Sequence, residues 1–261
     1  MNPKPLAVAF CGLLALAVTA CEELRKWAGD KKEDQEPWLQ NVLAAEVRLP
    51  EKGQAAAAQL SQLLERAESM PGVERVAVID VLPGAIALWH RVPIERESSP
   101  PDMRPAGYVE IVSPRYFETM GLILLQGRFF GKRDDDSSPP VAIVNESYAR
   151  RMRPPDEGRS ILGERVRVGG SSGLWMTIVG VVRDGPRVRN VPEVYVPYTQ
   201  QVLYGSGSRY PAGAHPWYML ARVKSDREVV AAGLQQVLGW EFRTMEERLK
   251  AYTKGPPGAG D

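Results

Sequence analysis

The apolar pattern predicts an α+β fold in which both chain ends build one open-faced, ferredoxin-like sandwich and a mostly β segment is inserted between them. Three observations lead there. A strand–helix–strand pattern opens the body, a second one closes it, and short strand-like runs parted by turn-rich pieces fill the interval. In the opening unit, Val42 to Leu49 reads as a strand, and Gly53 to Met70 carries Leu60, Leu63, Leu64 and Ala67 at helical spacing. Pro71-Gly72 breaks that helix before Val73 to Leu82, where Val76, Val78 and Asp80 alternate with Ala77 and Ile79. The closing unit runs from a strand at Tyr218 to Val223, through the N-cap Asp226 and an amphipathic helix from Val229 to Leu238, to a strand at Trp240 to Thr244.

The interval, Gly84 to Pro216, reads as strands at Gly107 to Ser113, Val141 to Asn145, Arg165 to Val168, Trp175 to Val182 and Glu193 to Pro197. Two short helices interrupt it, one from Pro114 to Met120 and one from the cap-like Asn145 to Met152. Gly180 is placed to form a bulge in a buried strand, and Gly121 and Gly127 to permit turns. The Gly- and Ser-rich stretch from Gly205 to Gly213 reads as a loop, as does the tail after Lys254.

Composition limits the function. The 261 residues are 44% apolar and 25% charged, which is globular, and 33 basic against 32 acidic residues leave a formal charge of +1. Nothing in that balance draws the chain to nucleic acid. The two cysteines, Cys11 and Cys21, both lie in or at the end of the first apolar stretch, so no disulfide staples the body.

That stretch, Leu6 to Ala20, is uncharged and ends in Val18-Thr19-Ala20-Cys21, followed by Glu22-Glu23. A spanning helix needs roughly 20 apolar residues and a secretory h-region about 7–15, so the length is that of a signal. The last four residues resemble the lipobox of bacterial lipoproteins, in which the cysteine is acylated; Cys21 is then the lipidation site. An uncleaved signal anchor and a buried helix of a cytosolic protein are the alternatives. Residues 22–40 are charged and read as a spacer. With no second apolar segment of spanning length, the expectation is a body outside the cytoplasm, tethered to a bacterial membrane by its N-terminus and unable alone to form a pore.

Catalytic signatures are missing: no His-Glu-x-x-His, no Gly-x-Ser-x-Gly, no phosphate-binding glycine loop and no Cys-x-x-Cys. His90 and His215 sit in Pro-rich connections and read as ordinary loop residues. Asp134-Asp135-Asp136 lacks the spaced pattern that wraps a hard cation and reads as a solvated turn before a strand. Arg150, Arg151 and Arg153, with Arg183, Arg187 and Arg189, read as decoration of a helix end and a hairpin, and Trp175, Trp217 and Trp240 as core. No catalytic, cofactor-binding or metal-ligating residue is expected, and alanine at His90, His215 or Asp134 is expected to leave function intact.

A more specific set of residues runs through the body in order. It comprises Leu49-Pro50, Met70-Pro-Gly-Val-Glu-Arg-Val76, Tyr116-Phe-Glu-Thr-Met-Gly121, Gln126-Gly-Arg-Phe129 with Asp134, Val141-Ala-Ile-Val-Asn-Glu-Ser-Tyr-Ala149, Ile161-Leu-Gly163, Ile178-Val-Gly-Val-Val-Arg-Asp184, Val194-Tyr-Val-Pro-Tyr198 and Thr244-Met-Glu-Glu-Arg-Leu249. From about Asn41 to Tyr252 the chain resembles the MacB-like periplasmic core domain of FtsX/MacB-type ABC transporter permeases, especially their duplicated orphan relatives. The resemblance implies a porter-like part (residues 41–83 and 217–252) and an inserted β-rich part (84–216), while residues 253–261 read from their composition as a flexible tail. It also implies contact with a permease, adaptor or lipoprotein rather than catalysis. The chain departs from the family in lacking later membrane helices, an ATPase and a coupling helix, so a free-standing, non-enzymatic interaction domain is expected. An extracytoplasmic hydrolase or sugar-binding enzyme using a carboxylate pair, or a nonfunctional permease remnant, is the alternative.

Overall fold

A computed structural model of the protein describes residues 41–47, 54–83, 91–97, 105–152, 160–170, 173–185, 190–200 and 217–253, with side chains left undescribed at 54–58, 91, 252 and 253. The apolar stretch with Cys11 and Cys21, the spacer, His90, His215, Arg153, Arg187, Arg189, the Gly205 to Gly213 segment and the tail lie outside the described residues. Among the described residues no helix is long and apolar enough to cross a membrane.

Strands β1 (Val42–Val47), β2 (Val73–Ile79), β10 (Trp217–Val223) and β11 (Arg243–Thr244) bring the two chain ends together in the order β11-β1-β10-β2. Every pairing in this group is antiparallel, with Val42 opposite Arg222 and Leu43 opposite Thr244. Alternation then assigns the faces. Leu43, Ala45, Val76, Val78, Met219 and Ala221 share a core with Leu60 and Ala67 of α1 (Gln54–Glu68) and Val230 and Leu234 of α4 (Arg227–Leu238). Asp226 caps α4 as its position suggested, accepting from the Glu228 N–H at 2.9 Å.

The opposite face is not open. Val42, Ala44, Ala77, Ile79 and Leu220 pack with Tyr116, Phe117 and Met120 of α2 (Tyr116–Met120) and with Met245 and Leu249 of α5 (Met245–Thr253). Coverage on both faces is why β1 and β2 read as continuous apolar runs rather than clean alternation. Of the strand expected at Trp240 to Thr244 only Arg243–Thr244 forms, and α5 follows it directly. Its start is a capping box: Glu247 accepts from the Thr244 N–H and hydroxyl, both at 2.9 Å, while Thr244 Oγ1 accepts from the Glu247 N–H.

The remaining strands are β3 (Arg91–Arg96), β4 (Ala106–Val112), β5 (Leu124–Gly127), β6 (Val141–Asn145), β7 (Arg165–Val168), β8 (Met176–Val182) and β9 (Glu193–Pro197), with α3 (Glu146–Met152) following β6. Their pairings run β4-β3-β7-β8-β6-β9, and β9 returns to pair with β4 in parallel, so six strands close into a small barrel. Ile94, Val109, Ile111, Val144, Val166, Val168, Met176, Ile178, Val194 and Val196 form one core cluster from all six strands, while Arg165 and Arg167 alternate outward. The barrel meets the terminal sheet at the β2–β4 pairing, Ile79 opposite Val112.

Strands β3 and β5 carried weak signals. Pro93 breaks the run of ladder donors in β3, which pairs with β4 up to that residue and with β7 beyond it. Strand β5 reads as a turn because of Gly127, whose φ is +75°. A Cβ there would lie 2.2 Å from the Val179 carbonyl oxygen, and one on its partner Gly180 would lie 2.4 Å from the Arg128 oxygen. Only glycines let these backbones meet, and the β6–β8 register slips at the same point, the bulge expected at Gly180.

Phe117 is fully buried, with Phe129 stacked on it at 5.2 Å and Tyr195 edge-on at 5.2 Å. Phe117→Ala is expected to lower unfolding free energy by about 3–5 kcal/mol, measured by urea denaturation, because these rings leave a cavity rather than collapse.

Candidate functional site

Asn145, at the end of β6, connects three elements. Its Oδ1 accepts from the Tyr148 N–H of α3 at 2.8 Å, as an N-cap should, and from the Glu193 N–H of β9 at 3.0 Å. Its Nδ2 donates to the Val191 carbonyl at 2.8 Å and to Glu193 Oε2 at 3.2 Å. Asp184, just after β8, adds to the same helix start by accepting from the Ser147 N–H at 2.7 Å and from its hydroxyl at 2.5 Å, and it holds Arg150 at 3.0 Å.

Glu193 leads into a second group of ionisable side chains. It is buried, and the Tyr195 hydroxyl donates to its Oε2 at 2.7 Å. The parallel β4–β9 register sets Glu110 directly opposite Tyr195, and Asp80, buried at the end of β2, accepts from the Ile111 N–H at 2.8 Å. Burial pushes the Glu193 carboxyl up to about 7; the Asp184 charge adds to this, and the Tyr195 and Asn145 hydrogen bonds oppose it. Glu110 is raised for the same reasons, burial first and then the charges of Glu193 and Asp80, against one hydrogen bond with Tyr116. The phenols of Tyr116 and Tyr195 are held well above their ordinary value by burial and these carboxylates, so they remain donors.

A groove of about 360 Å³ lies between α2 and the segment after β5, lined by Arg75, Arg115, Lys132, Glu118, Phe129 and Phe130 with adjoining backbone. Arg115 forms a forked pair with Glu68, both contacts 2.7 Å, and Arg75 approaches Glu118 at 3.4 Å. Glu118 is the one carboxylate that lines the groove among the described residues; Glu110 and Glu193 do not line it. It therefore presents cations beside an aromatic floor and no pair of acidic groups.

The expected solvated turn at Asp134 is corrected. Asp134 is 4% exposed and takes a forked pair from Arg128 at 2.7 and 2.8 Å together with the Gly131 N–H at 2.7 Å. The neighbours Asp135 and Asp136 do remain on the surface. No group of three acidic, His or Cys side chains among the described residues is placed to hold a metal ion. Trp175 also departs from expectation: it lies outside the core, under the guanidiniums of Arg167 at 4.5 Å and Arg165 at 5.9 Å, which are themselves paired with Glu95 and Glu97. Trp217 and Trp240 do pack on the core, Trp217 edge-on to Tyr198. Arg150 is tied down by Asp184 and by Glu146 at 3.3 Å, while Arg151 and Arg183 are exposed.

The Glu110–Glu193 group had no sequence signal beyond two acidic residues in otherwise apolar strands. Their meeting depends on the β4–β9 pairing, which joins positions far apart in the chain.

With the fold in view, comparison with known proteins is decisive for family. The family model described as the MacB-like periplasmic core domain matches residues 34–237. The chain belongs to this family. Among solved structures it is similar to the periplasmic region of MacB from Actinobacillus actinomycetemcomitans, at 14% identity and a TM-score of 0.52, covering 87% of this chain and 99% of that one. It is also similar to a domain of a permease protein from Porphyromonas gingivalis, at 16% identity and a TM-score of 0.50, covering 80% and 92%. At these identities the likeness establishes the sheet-dominated α+β fold. No curated protein matches the chain.

Variants at Asn145 and Asp134 test the site. Asn145→Ala removes a cap and leaves buried groups of β9 without partners, so it is expected to cost about 2–4 kcal/mol in urea unfolding. Asn145→Asp keeps the cap but adds a carboxylate beside Glu193, so its cost should be larger at pH 8 than at pH 5.5. Asp134→Ala is expected to cost about 1–3 kcal/mol by stranding Arg128 and the Gly131 N–H. Burial alone would raise the Asp134 pKa, but Arg128 and Gly131 hold it below its ordinary 3.8. The stability this lowering provides is present above about pH 4 and lost as pH falls through the depressed value, which acid titration of the wild type would show.

Proposed function

We propose that the chain is a non-enzymatic, extracytoplasmic interaction domain, tethered to a bacterial membrane and serving an ABC-type transport or lipoprotein-handling permease system. The observation that carries this reading is the family match over residues 34–237. Three features support its finer parts. The all-antiparallel order β11-β1-β10-β2, with α1 and α4 on one face, fits a ferredoxin-like, porter-type subdomain made from residues 41–83 and 217–252. The closed β3–β9 barrel fits an inserted subdomain within 84–216. The Leu6 to Cys21 stretch fits a membrane tether, by acylation of Cys21 or as an uncleaved anchor.

The groove beside α2 suits contact with a protein partner. Arginines and an aromatic floor are the residue types that anchor interfaces, where a single truncation typically costs 1 kcal/mol or more. The partner class is a permease, an adaptor or a lipoprotein.

Expressed at native level, cross-linked in the intact cell and purified from membranes, the protein is expected to bring with it an FtsX- or MacB-type permease or its ATPase. Lys132→Glu should lower that recovery several-fold while leaving thermal stability near wild type. Recovery of the chain alone would count against the reading. The wild-type chain should take up a fatty-acid analogue and Cys21→Ser should not; a wild-type chain attached to the membrane without labelling would instead assign the uncleaved anchor.

A further inference from the structure

We propose that the β4–β9 seam that closes the barrel is a pH-responsive latch, in which protons held on Glu110 and Glu193 keep β4 and β9 paired and their loss loosens this pairing. The inference is independent of any docking partner and rests on where the two carboxylates sit.

Strand β4 is the common member of both halves. It pairs with β2 through Ile79 and Val112, with β3 through Arg91 to Pro93, and with β9 through five consecutive residue pairs from Tyr108–Glu193 to Val112–Pro197. Glu110 and Glu193 sit on the two strands of that last ladder, two residues apart in register and on the same face. Two anions at that separation repel, and like charges facing each other across a ladder destabilise it.

The groups that face the pair come from every surrounding element. Asp80 comes from the end of β2, Tyr116 from α2, Tyr195 from β9, Asn145 from β6 and Asp184 from the end of β8. Three of these are neutral donors and two are further carboxylates. Arg150, the cation nearest in the bonding pattern, is engaged by Asp184 rather than by either glutamate. The tyrosines and Asn145 supply hydrogen bonds that tolerate one shared negative charge, but no described cation is bonded to either glutamate to balance two.

The direction of the pH effect follows from linkage. Glu193 takes up its proton at about 7 in the closed form, against an ordinary value of 4.5 once the ladder opens and water reaches it. The closed form therefore holds more protons than the open form between those limits, and the closed state is favoured less and less as pH rises through them. Opening should increase up to about tenfold per pH unit across that interval and level off above it. Asp134, a buried carboxylate paired with Arg128, responds in the opposite sense.

Hydrogen–deuterium exchange of the full-length chain between pH 5 and pH 8, corrected for intrinsic amide rates, tests the proposal. In peptides covering residues 106–112 and 193–197, protection should fall steeply toward pH 7 and then flatten, while residues 42–47 of the terminal sheet hold steady. Glu193→Gln should remove most of the slope, and Glu110→Gln, which takes the second carboxylate off the ladder, should make it shallower. The second variant also decides the matter if the first folds poorly. Constant protection of β4 and β9 from pH 5 to pH 8 would overturn the latch. So would a slope unchanged in both variants, or one shared equally by residues 42–47.

Discussion

The parallel pairing of β4 with β9 is the constraint on which the rest of the structure depends. Without it, β3 through β9 would be an open sheet with two exposed edges, each a template for unwanted pairing. With it, the strands close into a barrel whose interior is filled by Val, Ile and Met side chains. The same pairing places Tyr195 against Phe117 and Tyr116 of α2, so that helix is held between the barrel and the terminal sheet.

Polar groups were retained where closure required them. Parallel strands need a crossover, and here β6 runs into α3 before the chain returns through β7 and β8. Asn145 satisfies the start of that helix and the backbone of β9 together, which a hydrophobic residue could not do. Glu193 accompanies it as a buried acceptor for Asn145 and Tyr195, and burial keeps that carboxyl close to neutrality in its protonation. Structural economy and pH sensitivity thus have the same origin. This chain, a member of the MacB-like periplasmic core domain family, carries two carboxylates on one face of its barrel seam, and separately a surface groove of cations and aromatics.

Much of the framework was legible in the chain. Strands β1, β2, β4, β6 to β10 and helices α1 to α4 follow from apolar periodicity, Pro-Gly breaks and the caps Asp226 and Asn145, because these signals are local. Helix α5 also had a local signal, Thr244 followed three residues on by Glu247, and the strand expected just before it shrinks to Arg243–Thr244. The burial of Asp134 was not legible, since its partner Arg128 and the turn at Gly131 matter only once the loop has folded back.

The sequence by itself determined the elements, the absence of catalytic signatures, the character of the N-terminal stretch and the family resemblance, because each resides in neighbouring residues or in an ordered set of motifs. Only the tertiary structure decided which strands meet. Pairing of β4 with β9 joins residues more than eighty positions apart, roughly, and pattern within a strand carries no information about its partner's address. The second covered face of the terminal sheet, the barrel and the Glu110–Glu193 contact all follow from such distant pairings, where loop closure and mutual burial choose between arrangements that look alike along the chain.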